Sequence, residues 1–308
     1  MKYVEAGGVR VSAIGLGTWQ FASGEWAYGD DYAATIAPAL VRRALELGIT
    51  LIDTAEAYGG GGSELIVGSA LRDAARDPFV ATKFTPLLPV ASVMASHAEQ
   101  SRRRLNVAAI DLYQLHFANP VVPVARQAAG LRRVLDLGIA RHVGVSNHSL
   151  KRWRAIEGAL GRPVLSNQVE FNLGRSHALR HLVPYAVEND RLVIAYSPLG
   201  QGILAESRKP RRNRARLIRR AMGAPSWKRV APLRAVIAEV AAAHDATMAQ
   251  IALAWLIAQP NVVAIPGART LEQLEENARA ADLELTTADV ERLTAASAAI
   301  RGGRVFAR

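Results

Sequence analysis

The chain has 308 residues, half of them apolar, which suffices for one large core, and it has no cysteine, which excludes disulfides and thiolate metal sites. Its formal charge of +11 is of the size seen in nucleic-acid-binding proteins, yet ten of the 38 basic residues and none of the 27 acidic ones fall between Ser207 and Val230. The excess charge therefore belongs to one loop, and with no signal-peptide-like or membrane-spanning run a cytoplasmic protein is expected.

Residues 2 to 14 alternate around Ala6-Gly7-Gly8, which predicts a short hairpin closing the bottom of the core. A buried strand near Ala13 to Leu16 ends in GTWQF, and ATIAPALVRRALELG follows with helical spacing and a C-cap at Gly48. LIDTA is the second strand. The alternation then repeats: SELIVGSALRD before FVATK, SVMASHAEQSRRRL before DLYQLH, VARQAAGLRRVLDLG before HVGVSN, LKRWRAIEGAL before LSNQVEF, and ALRHLVPYAVEND before LVIAYSPLG. The last strand, VVAIPG, follows a long insertion that holds the basic run at about 200–230 and helices from about Leu233 to Ala243 and Met248 to Ala258. A final helix from about Thr287 to Ala299 should cover the barrel wall, and the tail GGRVFAR is glycine-hinged.

Eight β-rich runs, each followed by a helical pattern, predict a parallel sheet closed into a (β/α)8 TIM barrel, an α/β fold with an N-terminal β-hairpin and extra C-terminal helices. We expect a single domain over residues 1–308. The competing open dinucleotide-binding sheet needs G-x-G-x-x-G after its first strand. Gly15-Leu16-Gly17-Thr18-Trp19-Gln20 lacks the third glycine, the Gly59 to Gly62 run also fails, and no P-loop is present.

Three strands end in reactive groups, Asp53, Lys83 and His116, and Tyr58 stands in the loop after the first of them. Taken singly, Asp53 reads as a helix N-cap and Tyr58 as a rim aromatic. Together they describe one reactive rim of a barrel. A phenol is too weak an acid at neutral pH to protonate an alkoxide well unless a cation such as Lys83 stabilises its phenolate. Asp53 would hold that cation and His116 would orient a carbonyl oxygen. With no Ser or Cys beside a base, hydride from a cofactor is the natural partner. Ser146, Asn147 and Gln168 could hold a carboxamide and Tyr196 could stack on a flat ring. Trp19, Phe21, Trp26, Tyr58, Phe84 and Phe117 suggest an aromatic-walled pocket for aldehydes or ketones.

The sequence resembles the aldo-keto reductase family through GLGTW, DTAEAYG with its downstream SE, FVATK, DLYQLH, GVSN, SNQVEFN, AYSPLGQG and IPGAR with EEN, in order from residue 15 to residue 277. The resemblance implies a (β/α)8 barrel that binds NADPH across its C-terminal face, and it places the catalytic tetrad on Asp53, Tyr58, Lys83 and His116. It implies cofactor contacts from Thr18, Trp19 and Asp53, carboxamide contacts from Ser146, Asn147 and Gln168, and Tyr196 stacked on the ring. Ser197, Leu199, Gly200 and Gly202 would follow the pyrophosphate, and Pro266, Gly267, Arg269, Gln273 and Asn277 would surround the adenosine phosphate and adenine. The substrate pocket would be walled by Trp19, Trp26, Phe84 and Phe117. Two departures are Gly267, where some branches carry a phosphate-binding lysine, and Phe117, where many relatives carry tryptophan after the histidine.

The function implied is NADPH-dependent reduction of a small-molecule carbonyl, with Tyr58 as general acid. Two rival readings are an NADPH-binding regulatory subunit similar to potassium-channel β subunits and a nucleic-acid-binding protein using the basic loop, although that loop has no interleaved aromatics before Trp227. By resemblance Arg208 to Arg220 lie beside the pyrophosphate, and a cofactor clamp and a solvated run stand as even alternatives. His177 and His181 sit four apart, but Ala178 occupies the place of a metalloprotease glutamate, so no metal is expected. His97, His142, His148 and His244 have no convergent partners in the sequence, and Trp153 and Trp255 read as core.

Overall fold

A computed structural model describes residues 1–22, 32–72, 74, 78–205 and 227–300. The expectations for Trp26, for Arg208 to Arg220 and for the GGRVFAR tail lie outside the described residues.

The chain opens with an antiparallel hairpin, β1 (Tyr3–Ala6) and β2 (Val9–Ser12), turned through Gly7 and Gly8. Eight parallel strands follow: β3 (Leu16–Gly17), β4 (Leu51–Asp53), β5 (Phe79–Phe84), β6 (Ile110–Leu115), β7 (Ala140–Ser146), β8 (Ser166–Glu170), β9 (Leu192–Tyr196) and β10 (Val262–Ala264). Each pairs with its sequence neighbour in one curled sheet. The first barrel strand begins later than expected, because residues 13–15 are spent on the seam. There the Gly15 amide donates to Ala264 O at 2.7 Å, the Ala264 amide to Ala13 O at 2.8 Å, and the Gly17 amide to Pro266 O at 3.1 Å, which closes the barrel.

Helices cover the outside: α1 (Ala37–Glu46), α2 (Gly62–Leu71), α3 (Ala91–Leu105), α4 (Val124–Asp136), α5 (Leu150–Leu160), α6 (Ala178–Glu188), α7 (Trp227–Ala243), α8 (Met248–Ile257), α9 (Leu271–Arg279) and α10 (Thr287–Ala299). The first departs from a plain α-helix. Residues Tyr32–Ile36 form a π-turn, and regular α-helix begins only at Ala37, with proline in its first turn, where a missing N–H costs nothing. Helix α7 starts six residues before its expected N-terminus, at Trp227. Trp153 and Trp255 are fully buried, as read from the sequence, and the Trp255 indole donates to Thr294 of α10 at 2.9 Å, fixing the last helix to the wall. Among the described residues no single helix is long and apolar enough to cross a membrane.

Strand alternation sorts the core into two clusters. Val80, Phe84, Tyr113, Leu115, Val143 and Val145 face the helices. Leu51, Ala81, Leu112, Leu165, Leu192, Ile194 and Val263 face inward, joined by Ala6 and Val11 of the hairpin, so the hairpin plugs the bottom of the barrel. The same inward positions continue upward into polar side chains. Gln114 and Ser166 share a hydrogen bond at 3.3 Å, and above them come Asp53, Lys83, Ser146 and Gln168.

Candidate active site

Asp53 ends β4, Lys83 lies next to last in β5, and His116 follows β6; two-residue alternation turns Asp53 and Lys83 inward at one rim. The fully buried Lys83 ammonium donates to Asp53 Oδ1 at 2.6 Å, to the Thr54 carbonyl at 2.7 Å and to the Tyr58 hydroxyl at 3.2 Å. Burial works to strip its proton, but Asp53 and Tyr58 outweigh burial and hold its pKa above the usual lysine range. Burial likewise raises the Tyr58 phenol, with Lys83 opposing and Asp53 adding to the rise. Lys83 favours the phenolate, as the sequence led us to expect, but desolvation is the larger effect, so the phenol keeps its proton at neutral pH. The His116 ring meets the Tyr58 ring edge to face with centroids 5.8 Å apart. Burial and the Lys83 charge lower its pKa to about 3, so it is neutral, and its Nδ1 is buried with no partner among the described residues.

Tyr58 opens a short 3-10 turn, Tyr58–Gly61. Gly59 there has φ +58°, and a Cβ on it would stand 2.3 Å from the Ala22 carbonyl oxygen, so glycine is required by both conformation and space.

An amide shelf lies beside this quartet. Asn147, in the left-handed region at φ 58°, donates to the His116 carbonyl at 3.2 Å and to Ser146 Oγ at 3.0 Å, and accepts from the Tyr196 hydroxyl at 3.0 Å. Gln168 gives its amide N–H to Asp53 Oδ2 at 2.7 Å. Its Oε1 accepts no hydrogen bond among the described residues. After β9 the chain winds through Ser197, Gly200, Gln201 and Gly202, all with positive φ, closed by Gly200 N to Ser197 O at 2.9 Å and Gly202 N to Leu199 O at 3.0 Å. After β10, Pro266 is buried at the seam, Gly267 and Arg269 are exposed, Gln273 Oε1 accepts from the Arg269 amide at 2.9 Å, and buried Asn277 reaches Gly267 O at 3.5 Å.

Several expectations need correction. Thr18 is fully buried and spends its hydroxyl on the Asp53 carbonyl at 3.0 Å and on Ser63 at 2.7 Å, so its side chain braces β4 and offers nothing to a ligand. Phe84 is not a pocket wall: next to Lys83 in the strand, it points the other way, into the layer under the helices, against His97 and Tyr113. Phe21 is likewise core, edge-on to Tyr32. Trp19 is half-buried, and Phe117 is 49% exposed, stacked on His116 at 4.3 Å. His97 and His244, read as lacking partners, each meet a carboxylate at 2.9 Å, Glu56 and Asp289 respectively. The sequence reading also missed the Glu170–Arg175 ion pair at the end of β8. Burial raises the Glu170 pKa against the pull of Arg175. Its inward position, two residues after Gln168, was the available signal.

The aldo/keto reductase family model matches residues 13–298. This chain belongs to the aldo-keto reductase family. Among relatives of this aldo-keto reductase, the Mycobacterium tuberculosis protein named uncharacterized oxidoreductase Rv2298 is 49% identical over 304 residues, 98% of this chain and 94% of its own. Methylglyoxal reductase YeaE of Escherichia coli is 32% identical over 301 residues, 96% of this chain and 95% of its own. An aldo/keto reductase from Klebsiella pneumoniae, solved in complex with NADP and acetate, is 28% identical, with a TM-score of 0.79 over 99% of this chain and 98% of that one. The chain is thus an oxidoreductase with the (β/α)8 barrel of its family. The regulatory-subunit and nucleic-acid readings find no support among these relatives.

Proposed function

We propose that this aldo-keto reductase reduces an aldehyde or ketone to the alcohol with NADPH, Tyr58 acting as general acid. Lys83 carries the reading: one buried ammonium lies 2.6 Å from Asp53 and 3.2 Å from the Tyr58 hydroxyl, which is an arrangement for releasing and recovering a phenolic proton. As the carbonyl oxygen gains charge, Tyr58 transfers its proton and the neighbouring Lys83 offsets the phenolate left behind. Asp53, fixed from the other side by Gln168, keeps Lys83 charged and in place. Neutral His116 orients the carbonyl oxygen. A bare ring nitrogen is cheaper to bury unpaired than an N–H, so the orphaned Nδ1 leaves Nε2 as the donor.

The donor set fits a nicotinamide. Ser146, Asn147 and the unspent Oε1 of Gln168 match the groups of a carboxamide, and Tyr196, its hydroxyl pinned by Asn147, offers a fixed ring face. The left-handed turn from Ser197 to Gly202 presents backbone suited to a pyrophosphate, and exposed Arg269, with Gln273 and Asn277, suits the 2′-phosphate end. When bound, NADPH supplies the hydride.

The test is Tyr58→Phe, assayed with methylglyoxal, the substrate in the name of the Escherichia coli relative, and with a panel of aldehydes, ketones and sugars. The rate should fall by roughly 10²–10⁴ while NADPH affinity stays the same, because the hydroxyl acts in the transition state. Activity within about twofold of wild type would remove Tyr58 from the mechanism. Arg269→Ala should weaken NADPH binding much more than NADH binding; equal losses would show that Arg269 does not read the phosphate.

A further inference from the structure

Glu56 lies two residues before Tyr58, and nothing in the chemistry above uses it. Its carboxylate accepts from the Thr85 amide at 2.6 Å and from His97 Nδ1 at 2.9 Å. Its own amide donates to the Lys83 carbonyl at 3.3 Å. Both ends of Glu56 therefore grip the end of β5, one at Lys83 and one two residues beyond it. His97, on α3, rests its ring edge-on against Phe84 with centroids 5.2 Å apart, so the second partner of the carboxylate is itself seated on the same strand. The Phe84 carbonyl, between the two grips, accepts the His116 amide at 2.9 Å.

We propose that Glu56, oriented by His97, is a positioning residue that sets the separation between the Tyr58 hydroxyl and the Lys83 ammonium. The inference rests on the reading of Tyr58 as general acid. Downstream of Tyr58 the turn is built of glycines with positive φ, which offer no side chain to hold the loop. Glu56 is the last side-chain anchor before the phenol. Without it the Thr85 amide loses its acceptor, the Tyr58 loop loses its tie to the strand that carries Lys83, and the 3.2 Å contact between hydroxyl and ammonium is no longer fixed.

The experiment measures kcat, KM and NADPH affinity for Glu56→Ala, Glu56→Gln and His97→Ala, and for Glu56→Ala combined with Tyr58→Phe. Glu56→Ala should lower kcat by about tenfold or more with NADPH affinity within about twofold of wild type, since small misplacements of a reacting group are costly in rate. Glu56→Gln keeps an acceptor for the Thr85 amide and should recover most of the loss. His97 is 43% exposed at its side chain, so His97→Ala should fold normally and lower kcat by about threefold or more. In the Tyr58→Phe background Glu56→Ala should have no further effect on kcat, because a positioning residue has nothing left to position. An unchanged kcat in His97→Ala, a Gln variant as impaired as the Ala variant, or an additive loss in the double variant would each overturn the proposal. If Tyr58→Phe itself retained full activity, the general-acid reading would fail first; if it were inactive while Glu56→Ala and His97→Ala were normal, only the positioning role would fail.

Discussion

His116 is partly buried and His148 fully so, and burial lowers their pKa values to about 3 and about 4. In the unfolded chain both would titrate near ~6.5. As pH falls through that value the unfolded state takes up protons that the folded state refuses, so stability drops progressively until pH approaches about 4 for His148 and about 3 for His116. Thermal melts between pH 7 and pH 4 should therefore show a falling Tm, less steeply in His148→Gln, by at most one proton or ~1.4 kcal/mol per pH unit. Equal slopes in the two proteins would show that His148 is not buried as a neutral ring. Lys83 supplies the opposite kind of effect. It is the first counterweight to the burial that raises Tyr58, so in Lys83→Met the alkaline limb of alcohol oxidation should move to higher pH and the rate should fall. An unmoved limb would separate the two side chains.

The strands show what a linear pattern yields and what it hides. FVATK, read as ending at Lys83, placed that residue at the rim, and DLYQLH did the same for His116, because a β-rich run that meets a polar residue marks a strand tip whatever its register. Phe84 was misread for lack of one more residue: β5 continues through it, and adjacent residues of a strand cannot face the same side. Partnerships across elements, such as Glu56 with His97 or Thr18 with Ser63, have no local signature at all, since they join side chains 41 and 45 positions apart. The 3-10 turn beneath Tyr58 gives a prediction at this scale. Gly59→Ala places a methyl 2.3 Å from the Ala22 carbonyl oxygen at a φ that side chains avoid, so the turn must shift and carry Tyr58 with it. Its kcat should fall by about tenfold or more while global unfolding changes little. A variant with wild-type kcat would show that the turn does not hold the phenol.

Across the whole molecule, eight βα units were countable in the sequence, whereas closure was only inferred from the count. The seam joins residues 13–17 to 264–266, partners with no shared motif, and it depends on Gly17, where a Cβ would stand 2.8 Å from the Ile265 carbonyl oxygen. Gly17→Val should destabilise the protein by ~1–3 kcal/mol in denaturant titration, the usual cost of overpacking. An unchanged midpoint would mean that the seam is looser than its hydrogen bonds suggest. Below the polar layer, the hairpin residues Ala6 and Val11 join Leu51, Ala81, Leu112, Leu165, Ile194 and Val263 in an apolar stopper. Such a layer insulates: it offers water no relay through the floor of the barrel. On the proposed mechanism, the protons that recharge Tyr58 after turnover then arrive from above, along the route by which substrate enters and product leaves, so reprotonation and product exit share one doorway.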